Sequence, residues 1–181
     1  MRFLIIILTL SLVTSCVQNK QKEGKLQINT SKVILKNKVQ GDINKAVIKK
    51  LNEPLIALAA FYSAMGGSRC DGEYCDLTTA LQLGSQGSKI HKDLIKKYFP
   101  NDKVAETVLA QDCYLRRSGA TSFSDYEFLT LIDKGDTIIV EYNLMSYHRG
   151  EHKWTKGPDS YLFKDNKFKK IKRNLWSFVE E

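Results

Sequence analysis

Apolar and polar positions follow three different periods along this chain. After a basic Met1-Arg2 start, Phe3 to Val13 is an almost unbroken apolar run, FLIIILTLSLV. Eleven residues is the length of a signal-peptide core and too short to cross a bilayer. From Asp42 to Leu109 the apolar positions recur every three to four residues, the spacing of helices with one buried face. Asp42 is placed to cap a helix through Leu51, with Ile43, Val47, Ile48 and Leu51 inward. Asn52 caps a second helix. Its Pro54 falls in the first turn, where a missing N–H does no harm. Leu55, Leu58, Ala59, Tyr62 and Met65 make the stripe of this helix, and Gly66-Gly67 ends it. Asp76 opens a short helix, Leu77 to Leu83, closed by Gly84. Ser88 caps another, with Ile90, Leu94, Ile95 and Tyr98 on one face and Pro100 as its stop. Asn101 caps the last, with Val104, Val108 and Leu109 inward.

Beyond Cys113 the period drops to two. Tyr126 to Ile132 is rich in β-formers, and Asp133-Lys134-Gly135-Asp136 is a turn. Thr137 to Met145 alternates, with Ile138, Val140, Tyr142 and Leu144 on one face. His148 to His152 reads as a further turn. Ser160 to Lys164 and Phe168 to Arg173 are strands around the turn Asp165-Asn166-Lys167. Helices first and an antiparallel meander afterwards make an α+β fold. The closing stretch, YLFKDNKFKKI from Tyr161 to Ile171, resembles the last hairpin of small bacterial lipoproteins of the NTF2-like (cystatin-like) superfamily. The resemblance extends over about residues 45–174. It implies N-terminal helices packed on a curved antiparallel β-meander, with a pocket between helix and sheet. His91, Asp112 and Tyr142 are the acid–base or binding candidates for such a pocket. Folds of this kind host enzymes, binding proteins and inert scaffolds, so the fold alone names no function.

Val13-Thr14-Ser15-Cys16 follows the apolar run and resembles a bacterial lipobox, in which Cys16 is lipidated after cleavage before it. Val17 rather than Asp follows that cysteine, which in a Gram-negative cell is similar to outer-membrane sorting. The expected plan is a signal peptide over 1–15, a lipidated basic tether over 16–41 and one globular α+β domain over 42–181. The tether holds Lys20, Lys22, Lys25, Lys32, Lys36 and Lys38 against one acid, Glu23. As a flexible coil its 25 residues from Val17 have a root-mean-square span of roughly 25–30 Å. Within it, Val33-Ile34-Leu35 has the makings of a short docking strand. A length of 181 residues suits one domain better than two. Hydrophobic content of 43% and charged content of 27% exclude a wholly disordered chain and a polytopic membrane protein.

The chemistry on offer is sparse. Cys70, Cys75 and Cys113 remain after lipidation of Cys16, and export permits oxidation. Cys70 and Cys75 bracket a tight loop that a disulfide can close, with a bridge from either to Cys113 as the competing pattern. His148-Arg149-Gly150-Glu151-His152 spells H-x-x-E-H, but that motif needs a helix to bring both histidines to one zinc ion. Here Gly150 interrupts it between strand patterns, so no metal is expected. Neither G-x-x-x-x-G-K nor G-x-G-x-x-G occurs, and no cofactor is expected. Net charge is +8, and Lys164, Lys167, Lys169, Lys170, Lys172 and Arg173 crowd the last hairpin. In an exported protein this points to an acidic protein or an anionic polymer or lipid surface, not to nucleic acid. The expected function is therefore a lipid-anchored binding module of the cell envelope, in its sharper form an immunity or inhibitor protein against an envelope-directed toxin. The alternatives are an NTF2-like enzyme or small-ligand protein, and a structural envelope lipoprotein.

Overall fold

The computed structural model describes residues 30–36, 42–64, 70–71, 74–84, 88–110 and 122–175. Cys16, Asp112 and Cys113 lie outside them. Strand β1 (Thr30–Lys36) and the two-residue β2 (Asp42–Ile43) open the fold, followed by helices α1 (Lys45–Ile48) and α2 (Glu53–Ser63). Strands β3 (Cys70–Asp71) and β4 (Tyr74–Cys75) form a small hairpin ahead of α3 (Asp76–Ala80), α4 (Lys89–Tyr98) and α5 (Lys103–Ala110). Strands β5 (Ser122–Asp133), β6 (Thr137–His148), β7 (Glu151–Lys156), β8 (Asp159–Lys164) and β9 (Lys167–Lys172) complete the described chain. The class is mixed α+β, as the change of period implies.

Every pairing in the main sheet is antiparallel, in the order β2-β1-β5-β6-β8-β9. Strand β7 lies off this path, because β6 shares one edge between two partners. Its C-terminal half pairs with β7 and its N-terminal half with β8. The chain crosses from β7 to β8 at Gly157, whose N–H donates to the Tyr142 carbonyl at 3.0 Å. A Cβ at Gly157 would meet the Val140 carbonyl oxygen at 2.9 Å, so a side chain has no room at the crossing. Ile138, Val140, Tyr142 and Leu144 are buried on β6, as the alternation implies, and pack with Tyr126, Leu129 and Leu131 of β5. Helix α2 covers that face, and the Tyr62 and Tyr142 rings lie 5.6 Å apart.

Strand β1 bears out the docking strand expected at Val33-Ile34-Leu35, while several other features depart from the sequence reading. Strand β1 pairs with β5 across Thr30–Lys36, and Ile34 is fully buried. The sheet thus takes in part of the stretch read as tether, upstream of the expected domain start at Asp42. Asp42 itself lies in β2, and α1 is capped by Asn44, whose side chain accepts from the Val47 N–H. Helix α2 has the expected Asn52 cap and Pro54 start. It is buried from Ala57 through Ser63 rather than along one stripe, since small alanines let neighbours approach all round. On α4 the inward face carries His91, Ile95 and Tyr98, while Ile90 is 62% exposed. The cap of α5 is Asp102, which accepts from Val104 and Ala105 N–H groups. Asn101 occupies a left-handed turn position with φ 62°.

Candidate functional site

The polar groups that this fold brings together converge on Asp159, which the sequence reading did not single out. Strand β8 begins there, directly after the Gly157-Pro158 crossing, so the carboxylate enters the core between α2 and the sheet. Asp159 is 0% exposed. Tyr62 donates its hydroxyl to Oδ2 at 2.6 Å, and Tyr142 donates to Oδ1 at 3.1 Å. The backbone N–H of Asn174 donates to the same Oδ1 at 2.7 Å. The Tyr62 and Tyr161 hydroxyls are 3.0 Å apart. Since the single Tyr62 proton is committed to Asp159, Tyr161 is the donor in that pair. Tyr126 donates to the Tyr62 carbonyl at 3.0 Å.

Burial sets the electrostatics of this cluster. It raises the Asp159 carboxyl above its ordinary value, and hydrogen bonds from Asn174, Tyr62 and Tyr142 pull the other way. Burial likewise drives the Tyr62, Tyr126, Tyr142 and Tyr161 hydroxyls upward, so all four stay protonated donors. Such an arrangement fixes a helix to a sheet through satisfied buried groups. It offers no acid or base to solvent, because each member of the cluster is at most 2% exposed.

Of the three pocket candidates, Tyr142 belongs to this cluster. His91 lies elsewhere, on α4, with its Nε2 3.2 Å from the Ala60 carbonyl of α2. A carbonyl can only accept, so Nε2 carries the proton. Burial lowers the His91 pKa, the Ala60 hydrogen bond opposes that shift, and the neighbouring Lys92 charge adds to it. Asp112 is outside the described residues.

The basic hairpin is a surface feature with one exception. Lys164, Lys167, Lys169, Lys170 and Lys172 are exposed along β8 and β9. Arg173 corrects the expectation: its side chain is 2% exposed and grips Asp102 through both terminal nitrogens at 3.1–3.2 Å. Its guanidinium also lies 5.4 Å from the Phe61 ring centre. A planar fork that matches a carboxylate and stacks on a ring belongs inside a fold, not on a docking patch. Ile171, between two lysines, is 57% exposed.

The H-x-x-E-H stretch is a β-turn at Arg149-Gly150 joining β6 to β7, both residues having positive φ. His148 stands opposite Glu151 and His152 opposite Tyr147. Adjacent register positions point to opposite faces of a sheet, so the two histidines do not converge. Strands β3 and β4 place Cys70 opposite Cys75; the third cysteine, Cys113, is beyond the described residues. Among the described residues no helix is long and apolar enough to cross a membrane. Compared with protein-family models, with curated proteins and with solved structures, the chain matches none.

Proposed function

We propose that this chain is a lipid-anchored protein of the cell envelope that acts by binding and not by catalysis. The carrying observation is the contrast between its two polar regions. The acid and hydroxyl groups that converge in the core are buried and spoken for by one another. The lysines of β8 and β9 stand in water at one edge of the sheet. Charge of one sign on an exposed edge steers a negatively charged partner and speeds its capture. Lipidation at Cys16 and an NTF2-like arrangement of helices on an antiparallel sheet belong to the same reading, and the sharper form remains an immunity or inhibitor protein. The enzyme alternative would draw its acid and base from the Asp159 cluster, whose enclosure argues against it.

Two measurements test this. Fatty-acid labelling in a bacterial host should mark the parent chain and not Cys16→Ala; an unlabelled parent removes the anchor. A pull-down from envelope extract should recover a partner with the parent chain. Recovery should fall several-fold, and more at low salt than at high, with Lys169→Glu, Lys170→Glu and Lys172→Glu combined. Equal recovery by both proteins removes the hairpin from the binding surface.

A further inference from the structure

The start of β1, from which the chain leads back to Cys16, and the β8–β9 turn of the lysine edge lie at the same end of the sheet. Thr30 of β1 pairs with Asp133, the last residue of β5. The β5–β6 turn follows at once, and its Asp136 carbonyl accepts from the Phe163 N–H at 2.8 Å. The β8–β9 turn at Asp165-Asn166 is therefore at the same end of the sheet as Thr30, three strands across from it. Four strand spacings separate β1 from β9, about 19 Å. The step from Cys16 to Thr30 is 14 residues, which as a relaxed coil spans about 20 Å. The Arg149-Gly150 turn is at the opposite end of β6, some 12 residues or about 37 Å away. Standing the molecule on that far end would pull the same 14 residues most of the way to their limit of about 50 Å.

Strand β9 has the chemistry to meet a membrane. It is the last strand of the sheet order. Lys164, Lys167, Lys169 and Lys172 are exposed, and none forms an ion pair among the described residues. The turn tips carry Asp133, Asp136 and Asp165, so the favourable approach is along the β9 edge rather than onto the tips. Exposed Ile171 lies among the lysines. Lysines can extend their ammonium groups to headgroup phosphates while an apolar side chain between them enters the interface. We infer that the β9 edge, with Lys167, Lys169, Lys172 and Ile171, docks on the anionic phospholipid headgroups of the membrane that holds Cys16, and so fixes the orientation of the domain. This rests on the anchor reading above and names the anionic partner of the lysine edge.

The full lipidated chain, reconstituted into vesicles of phosphatidylcholine alone or mixed with phosphatidylglycerol, tests it. Amine-reactive labelling read by peptide mass spectrometry should be several-fold slower at Lys169 and Lys172 on the phosphatidylglycerol vesicles. High salt should restore it, and Lys153 on β7 should not change. A chain carrying Lys169→Glu and Lys172→Glu should lose the protection at Lys164 and Lys167. Equal labelling of an acylated chain on both vesicles overturns the orientation alone, and returns the edge to a soluble acidic partner. A chain with no acyl mass on its N-terminal peptide overturns the anchor, and the orientation with it.

Discussion

Asp159 is held by donors from three separate parts of the chain, Tyr62, Tyr142 and Asn174. Replacing it by alanine strands all three inside the core, and each unmatched buried group costs about 1–3 kcal/mol. We expect Asp159→Ala to lower stability in urea titration by about 3–5 kcal/mol. Asp159→Asn keeps an acceptor for Tyr142 and Asn174, lets Tyr62 turn elsewhere and carries no charge to desolvate. It should stay within about 2 kcal/mol of the parent. A loss as large as that of alanine would show that the charge itself is needed. The pH signs of the two buried titrating groups oppose each other. Asp159 is raised above 3.8, so its contribution is complete below that pH and is lost as pH rises through its folded value. His91 is lowered from 6.5, so its contribution is complete above 6.5 and is lost as pH falls through its folded value. Unfolding measured from pH 7.5 downward should show stability declining below about 6.5, by at most about 1.4 kcal/mol per unit. His91→Gln should flatten that decline, and an unchanged slope would assign it to other groups.

At the scale of elements, Asp102 joins a helix start to a strand end. It caps α5 and holds Arg173, which follows β9. Asp102→Ala removes the cap and takes a doubly bonded carboxylate from a buried guanidinium, a loss of about 2–4 kcal/mol. Asn101→Gly, at a left-handed position, should be near neutral by the same chemical denaturation. The β3–β4 pairing places Cys70 opposite Cys75. Register partners on neighbouring antiparallel strands have Cα atoms about 4.5–5.5 Å apart. That separation suits a disulfide. Non-reducing peptide mapping of envelope-purified protein should find Cys70 joined to Cys75, and a bridge to Cys113 would refute it. The short loop limits its stabilisation to about 2–3 kcal/mol.

The same elements show what the sequence could display. The Asn52-Glu53-Pro54 start of α2 and the alternation on β6 were legible because their signals are local. On α4 the apolar pattern favoured Ile90 over His91, although both positions fit a helical face. The deciding partner, the Ala60 carbonyl, is 31 residues away. Arg173 ended a run of lysines and read as surface, since Asp102 is 71 residues distant. Strand β7 shows no hydrophobic alternation because nearly all of its residues are exposed. Asp159 sits beside Pro158, just ahead of the strand read from Ser160, and nothing in its own neighbourhood announces three distant donors.

For the molecule as a whole, β1 is the piece most easily lost in designing a shorter protein. The sequence alone invites a start at Asp42. Such a chain would bare one edge of β5 and leave the space of Ile34 empty; an emptied site of that size costs about 2–5 kcal/mol by itself. We expect a protein starting at Asp42 to lose its cooperative thermal transition by circular dichroism, and one starting at Gly24 to keep it. Equal melting of the two would place β1 outside the cooperative unit.

The pairing of β1 with β5 also sets a timetable. Val33 and Thr130 are register partners roughly a hundred residues apart, and ribosomes add about 5–20 residues per second. The first strand therefore waits some 5–20 seconds for its neighbour, while every other pairing in the main sheet closes from nearby segments soon after synthesis. During that wait Val33-Ile34-Leu35 is a short β-prone stretch with nothing to zip against. Lys32 and Lys36 flank it on either side, the placement that keeps such stretches from joining another molecule first. Read in time rather than in space, the two lysines act before the sheet exists.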